Sequence, residues 1–73
     1  MLIFTVQHGS DGSIQGVFTN LKETIEMIQR DLLRKPKKLY AVVSGDGCWD
    51  IYTICEKTGV YEIVAYIMAW VIK

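Results

Sequence analysis

From Val60 to Ile72 the chain runs thirteen residues in which Glu62 is the only charge and every other side chain is apolar or aromatic. That run falls short of the ~20 residues a helix needs to cross a bilayer. Extended, it spans about 43 Å at roughly 3.3 Å per residue, well beyond a usual strand of about 20 Å. A helix of that length is conceivable, and Ala65, Met68 and Ala69 suit one. Val60, Tyr61, Ile63, Val64, Tyr66, Ile67, Trp70, Val71 and Ile72 are β-branched or aromatic, however, and favour a pleated strand. Apolar residues on both faces of a strand call for cover on both faces. One face suits a helix of the same chain, and a second copy is the simplest cover for the other, because a long bare edge strand invites aggregation. The expected dimer contacts are Tyr61, Ile63, Tyr66, Ile67 and Trp70, with the run either holding a homodimer or adding to a partner's sheet.

Length sharpens this expectation. A chain of 73 residues forms a single domain, residues 1–73, whose core barely offsets chain entropy unless packing is dense or the protein oligomerises. The formal charge is zero, with eight basic and eight acidic side chains, so any electrostatic role is local. Cys48 and Cys55 lie seven apart, which on one strand places them on opposite faces about 23 Å from each other at roughly 3.3 Å per residue. They read as buried free thiols of a reducing compartment. With His8 the sole histidine, a zinc site lacks ligands, and no metal or cofactor is expected. The segment Met1 to Val6 has neither a basic n-region nor a small-residue cleavage site, so a cytoplasmic protein without a membrane role is expected.

Periodicity supplies the other elements. Leu2, Phe4 and Val6 alternate with Ile3, Thr5 and Gln7, the turn formers Gly9 to Ser13 follow, and Ile14 to Thr19 reads as a second, antiparallel strand. Asn20 is an N-cap with Glu23 three residues later, as in a capping box. Leu21, Ile25, Ile28 and Leu32, widened by Met27 and Leu33, give the apolar stripe of a helix that Pro36 stops. Leu39 to Ser44 and Cys48 to Cys55 are β-rich runs joined by Gly45-Asp46-Gly47, a hairpin signal. After Glu56 to Gly59 the terminal run closes an α+β fold, ββαβββ: an antiparallel sheet of about five strands with one helix packed on one face.

Three segments invite a functional reading. Arg30, Arg34, Lys35, Lys37 and Lys38 hold five of the eight positive charges in nine positions; they complement a helix C-terminus, and they would also contact phosphate or nucleic acid. The hairpin turn sets Asp46, Trp49, Asp50 and Tyr52 close in sequence, an acidic aromatic rim suited to a protein partner; packing of Trp49 or Tyr52 in the core is the plainer alternative. His8, Ser10 and Asp11 carry the residue types of a catalytic triad, but neighbours in one turn do not let a base reach a nucleophile while a third group orients it. No catalytic residue is expected.

The segment Ile14-Gln15-Gly16-Val17-Phe18-Thr19-Asn20, followed by a helix with Glu23, resembles the strand, Gly-Val-Phe/Tyr-Ser/Thr, helix element of small uncharacterised proteins encoded by bacteriophages. The resemblance covers roughly residues 1 to 35 and carries no functional residues. It implies a short accessory protein made during infection, an inhibitor or modulator of a host enzyme or defence system. The functional expectation is therefore a non-enzymatic, homodimeric protein-interaction module that acts by steric binding to a host protein. The alternative is a nucleic-acid or nucleotide-ligand binder using the basic helix end.

Overall fold

The computed structural model describes residues 1–33 and 37–72. These form the strands β1 (Leu2–His8), β2 (Ile14–Phe18), β3 (Tyr40–Gly45), β4 (Cys48–Ile54) and β5 (Tyr61–Val71), with helix α1 (Leu21–Met27) running into a π-helical turn, Ile28–Leu32. The strands make one antiparallel sheet in the order β2-β1-β5-β4-β3, and the helix lies on one side of it. The α+β, ββαβββ expectation is met. No helix among the described residues is long and apolar enough to cross a membrane.

The terminal run is strand, but its place in the sheet differs from one expectation. It is the central strand: β1 pairs with Ala65 to Val71 on one edge, and β4 pairs with Tyr61 to Met68 on the other. The two neighbours, seven residues each, are staggered along it, which is why it runs to eleven residues rather than the length of either neighbour. Both edges are hydrogen-bonded within the chain over most of their length, so β5 keeps only short overhangs, Tyr61 to Ile63 beside β1 and Trp70 to Val71 beside β4, as free ladder for a partner's sheet. The open edges belong to β2 and β3.

The N-cap forms, with the Glu23 N–H donating to Asn20 Oδ1 at 2.9 Å. The buried stripe is rotated from the one the spacing predicts: Thr24, Met27 and Ile28 are buried, whereas Leu21 is 38% exposed. Thr24 can go inside because its hydroxyl donates to the Leu21 carbonyl, so no donor is left without a partner. The helical turns end at Leu32, with Leu33 already extended. The expected stop at Pro36 lies outside the described residues. Met27 and Ile28 close on Phe4, Val6, Ile51, Ala65 and Ile67, one contiguous core on the helix side.

β5 is not a regular strand. Ile51 pairs with Ala65, but the next residue, Tyr52, pairs with Ile63, so Val64 is an extra residue, a β-bulge. Gly9 sits against it: its N–H donates to the Val64 carbonyl at 2.9 Å. A β-carbon at position 9 would stand 2.5 Å from the Ile63 carbonyl oxygen and 2.9 Å from the Val64 carbonyl group. Gly9→Ala therefore pushes β1 off the bulge, with an expected loss of about 1–3 kcal/mol in urea unfolding followed by tryptophan fluorescence. Gly45→Ala, where an added carbon meets nothing within 4 Å, should stay within about 0.5 kcal/mol of the unchanged chain. Equal midpoints for the two variants would contradict the close approach.

Candidate functional site

Residues directly opposite in a ladder share a face of the sheet, and faces alternate along each strand. In β5 the bulge breaks that alternation. Ala65, Ile67 and Ala69 face the helix, so Tyr66, Met68 and Trp70 face away; one residue is inserted at Val64, and Tyr61 and Ile63 join that same outer face. Odd positions before the bulge and even positions after it thus form one surface.

Four of the five expected dimer contacts come together there: Tyr61, Ile63, Tyr66 and Trp70. Ile67 does not. It is fully buried in the core on the helix side, because the alternation after the bulge sends it inward, and it is withdrawn as a contact with a second copy.

β4 extends the outer face with Cys48, Asp50 and Tyr52, paired to Met68, Tyr66 and Ile63. β3 adds Tyr40 and Val42, paired to Tyr52 and Asp50. From β1 come Ile3, Thr5 and Gln7, paired to Trp70, Met68 and Tyr66. Trp70 is 45% exposed, and its indole Nε1 donates to Thr5 Oγ1 at 2.9 Å; Thr5 itself is only 9% exposed although no helix of the described residues lies on this side. At the other end Tyr40 and Tyr52 stack with centroids 5.4 Å apart, and Tyr61 meets Tyr52 edge-on at 5.9 Å. Such pairs hold the rings in place before any partner arrives.

The acidic aromatic rim is divided. Asp50 and Tyr52 lie on the outer face, but Trp49 points to the helix side, where its ring lies 6.2 Å from Phe4, and Asp46 occupies the turn between β3 and β4. Trp49 and Asp50 are neighbours in sequence and so sit on opposite faces, which removes the rim as a single contact surface. The plainer reading holds for Trp49.

The basic cluster is also changed. The Arg30 guanidinium donates through Nε and one terminal nitrogen to the Asp31 carboxylate, both at 3.0 Å, which holds the Asp31 carboxyl below its ordinary range and ties down a cation expected to meet phosphate. Lys38 Nζ lies 5.3 Å from the Tyr40 ring centroid, a cation–π contact. Lys37 borders a cleft of about 520 Å³ between the helix end and β5 with Leu32, Thr53 and Glu62. Arg34 and Lys35 lie outside the described residues.

At the mouth of that cleft Ser10 Oγ stands 2.8 Å from His8 Nδ1, nearer than the turn argument allows. The same nitrogen accepts the Ser10 backbone N–H at 3.1 Å, so it is an acceptor closing a turn. Asp11 does not orient the ring; its carboxylate accepts the Ser13 N–H at 2.9 Å, which lowers its pKa. Among the described residues no group of three or more His, Cys, Asp or Glu side chains could hold a metal ion.

The sequence reading missed Ile3, Gln7, Tyr40, Val42 and Met68. The signal was present, since alternation within β1, β3 and β5 assigns each to the face opposite Phe4, Ala41 and Ile67. What it did not supply was the pairing that joins those faces.

Comparison of the chain with known protein families, characterised proteins and solved structures finds no match.

The cysteines differ from the buried pair expected. Cys48 is half-buried and Cys55 exposed. The nearby Thr58 hydroxyl, then the backbone N–H groups of Thr58 and Lys57, favour the thiolate of Cys55, with Lys37 adding positive charge, and its pKa is lowered from the ordinary thiol value. A lowered thiol pKa raises the thiolate fraction at neutral pH. Iodoacetamide should therefore label Cys55 well ahead of Cys48 at pH 7, and the Cys55 rate should level off at a lower pH than for a free thiol. Faster labelling of Cys48, read by peptide mass spectrometry, would contradict this.

Proposed function

We propose that this chain is a non-enzymatic protein-interaction module that self-associates through the outer face of its sheet and acts sterically on a second protein. The observation that carries the proposal is that face: among the described residues the five-stranded sheet has a helix on one side only, and the other side presents Tyr40, Tyr52, Tyr61, Ile63, Tyr66, Met68 and Trp70. Clusters of tyrosine, tryptophan and methionine with few charges are typical of interface centres. A contiguous apolar surface of this kind is uncommon on a monomer.

Once that face is occupied, the β3–β4 turn with Asp46 and the outer edge of β3 stay free for the second protein. β3 has no charged side chain, and Val43 on its helix side is 68% exposed because the helix stops short of it. An edge of this kind accepts an added strand. The strand-addition role thus moves from the terminal run to β3. The reading agrees with a small inhibitor or modulator of the bacteriophage accessory type, working in the cytoplasm where both thiols stay reduced.

A second reading, nucleic-acid binding, draws on Lys38 beside Tyr40 and on the stacked tyrosines, since base stacking on aromatics beside cations is how single strands are held. The Arg30–Asp31 pair and Asp50 in the middle of the face weigh against it.

Size-exclusion chromatography with light scattering tests the first reading. The unchanged chain should run as a dimer at micromolar concentration and stay dimeric as salt rises, and Trp70→Asp or Tyr61→Asp should give a folded monomer. A monodisperse monomer of the unchanged chain removes the self-association, and binding to a single-stranded oligonucleotide that weakens steeply with salt favours the second reading.

A further inference from the structure

One row of the outer face crosses all five strands in register. Ile14 on β2 pairs with Gln7 on β1, Gln7 with Tyr66 on β5, Tyr66 with Asp50 on β4, and Asp50 with Val42 on β3. The row reads apolar, amide, tyrosine, carboxylate, apolar, and it is centred on Tyr66. Ile14 is 62% exposed and Val42 49% exposed. Asp50 is the one acidic residue that the ladder places in the aromatic field, and burying a carboxylate without a donor is costly.

Resting on the self-association reading above, the geometry points to a specific dimer: a second copy stacks sheet on sheet with its two-fold axis running along β5. Face-to-face sheets pack about 10 Å apart with strands within about 30° of alignment. A dyad along β5 exchanges the two sides of the sheet, so β4 of one copy lies over β1 of the other and β3 lies over β2. Each Asp50 then faces the Gln7 amide of the other copy, which donates a charge-assisted hydrogen bond. Val42 meets Ile14, and the two Tyr66 rings pass beside one another at the axis.

The alternative dyad, running along the row, sets Asp50 on Asp50 and Gln7 on Gln7. Two like charges facing each other in a desolvated centre oppose it. The charge pattern thus selects one of the two ways in which the faces can stack.

Area is adequate for such a pair. The strand residues, at about 3.3 Å each and roughly 4.8 Å between strands, cover a flat footprint of roughly 570 Å². The relief of the side chains takes the accessible area past the ~600 Å² per partner at which specific interfaces begin.

Sedimentation equilibrium of the full chain tests the axis with opposite charges at one position. Gln7→Lys places an ammonium opposite Asp50 twice per dimer and should tighten association by roughly threefold to tenfold, whereas Gln7→Glu should loosen it by a similar factor. Gln7→Glu combined with Asp50→Lys should recover the affinity. Loosening by both Gln7→Lys and Gln7→Glu overturns the β5 dyad, and so does indifference to both. Spin labels on Cys55, in a chain carrying Cys48→Ser, read the same geometry without altering the row. They should lie about 15–25 Å apart with the dyad along β5, against more than ~35 Å if the strands run oppositely; the longer distance overturns the proposal. A chain that stays monomeric throughout overturns the self-association reading itself, whereas a dimer with the wrong response overturns only the axis.

Discussion

The structure depends on one strand being paired along both edges and kinked once. β5 takes its hydrogen bonds from β1 on one side and β4 on the other, and these are the partners that the other two strands and the helix are built upon. The kink is the extra residue Val64, held by the Gly9 N–H and passed closely by the Gly9 α-carbon. A bulge shifts every later side chain to the other face. Without it, Tyr61 and Ile63 would turn toward the helix, and the tyrosine group at that end of the outer face would be dispersed.

The helix covers only part of the sheet. Met27 and Ile28 reach Phe4, Val6, Ile51, Ala65 and Ile67, and these seven residues constitute the buried apolar core among the described residues. A core of that size is small for a domain of any length. On the other side lie five of the eight aromatic residues, most of them arranged by their own contacts: Trp70 on Thr5, Tyr40 on Tyr52, Tyr52 on Tyr61. These contacts limit how much side-chain entropy a partner must remove, which is the usual obstacle to using a large exposed face.

On the proposed function, activity and stability share one surface. Cover over the outer face would add apolar burial to a marginal domain and shield Thr5 and Trp70 further. Asp50 sets the terms of that cover, because any occupant has to bring a donor to it. The amide of Gln7 stands in the same register two strands away.

The sequence by itself determined the order of the elements. Alternation in β1, the Asn20 cap, the Asp46-Gly47 turn and the β-branched character of residues 60–72 are local signals; each strand appears within a residue or two of where they place it, and the helix starts at the expected cap but its turns end at Leu32. It also indicated that the terminal run has two apolar faces of which a single helix covers one. Only the tertiary structure decided that the run is central and that Ile67 belongs to the core while Tyr66 does not. The physical reason is that a strand's faces are counted from its pairing. One inserted residue reverses the count, and whether a bulge forms at Val64 depends on Gly9, fifty-five positions earlier, lying against it.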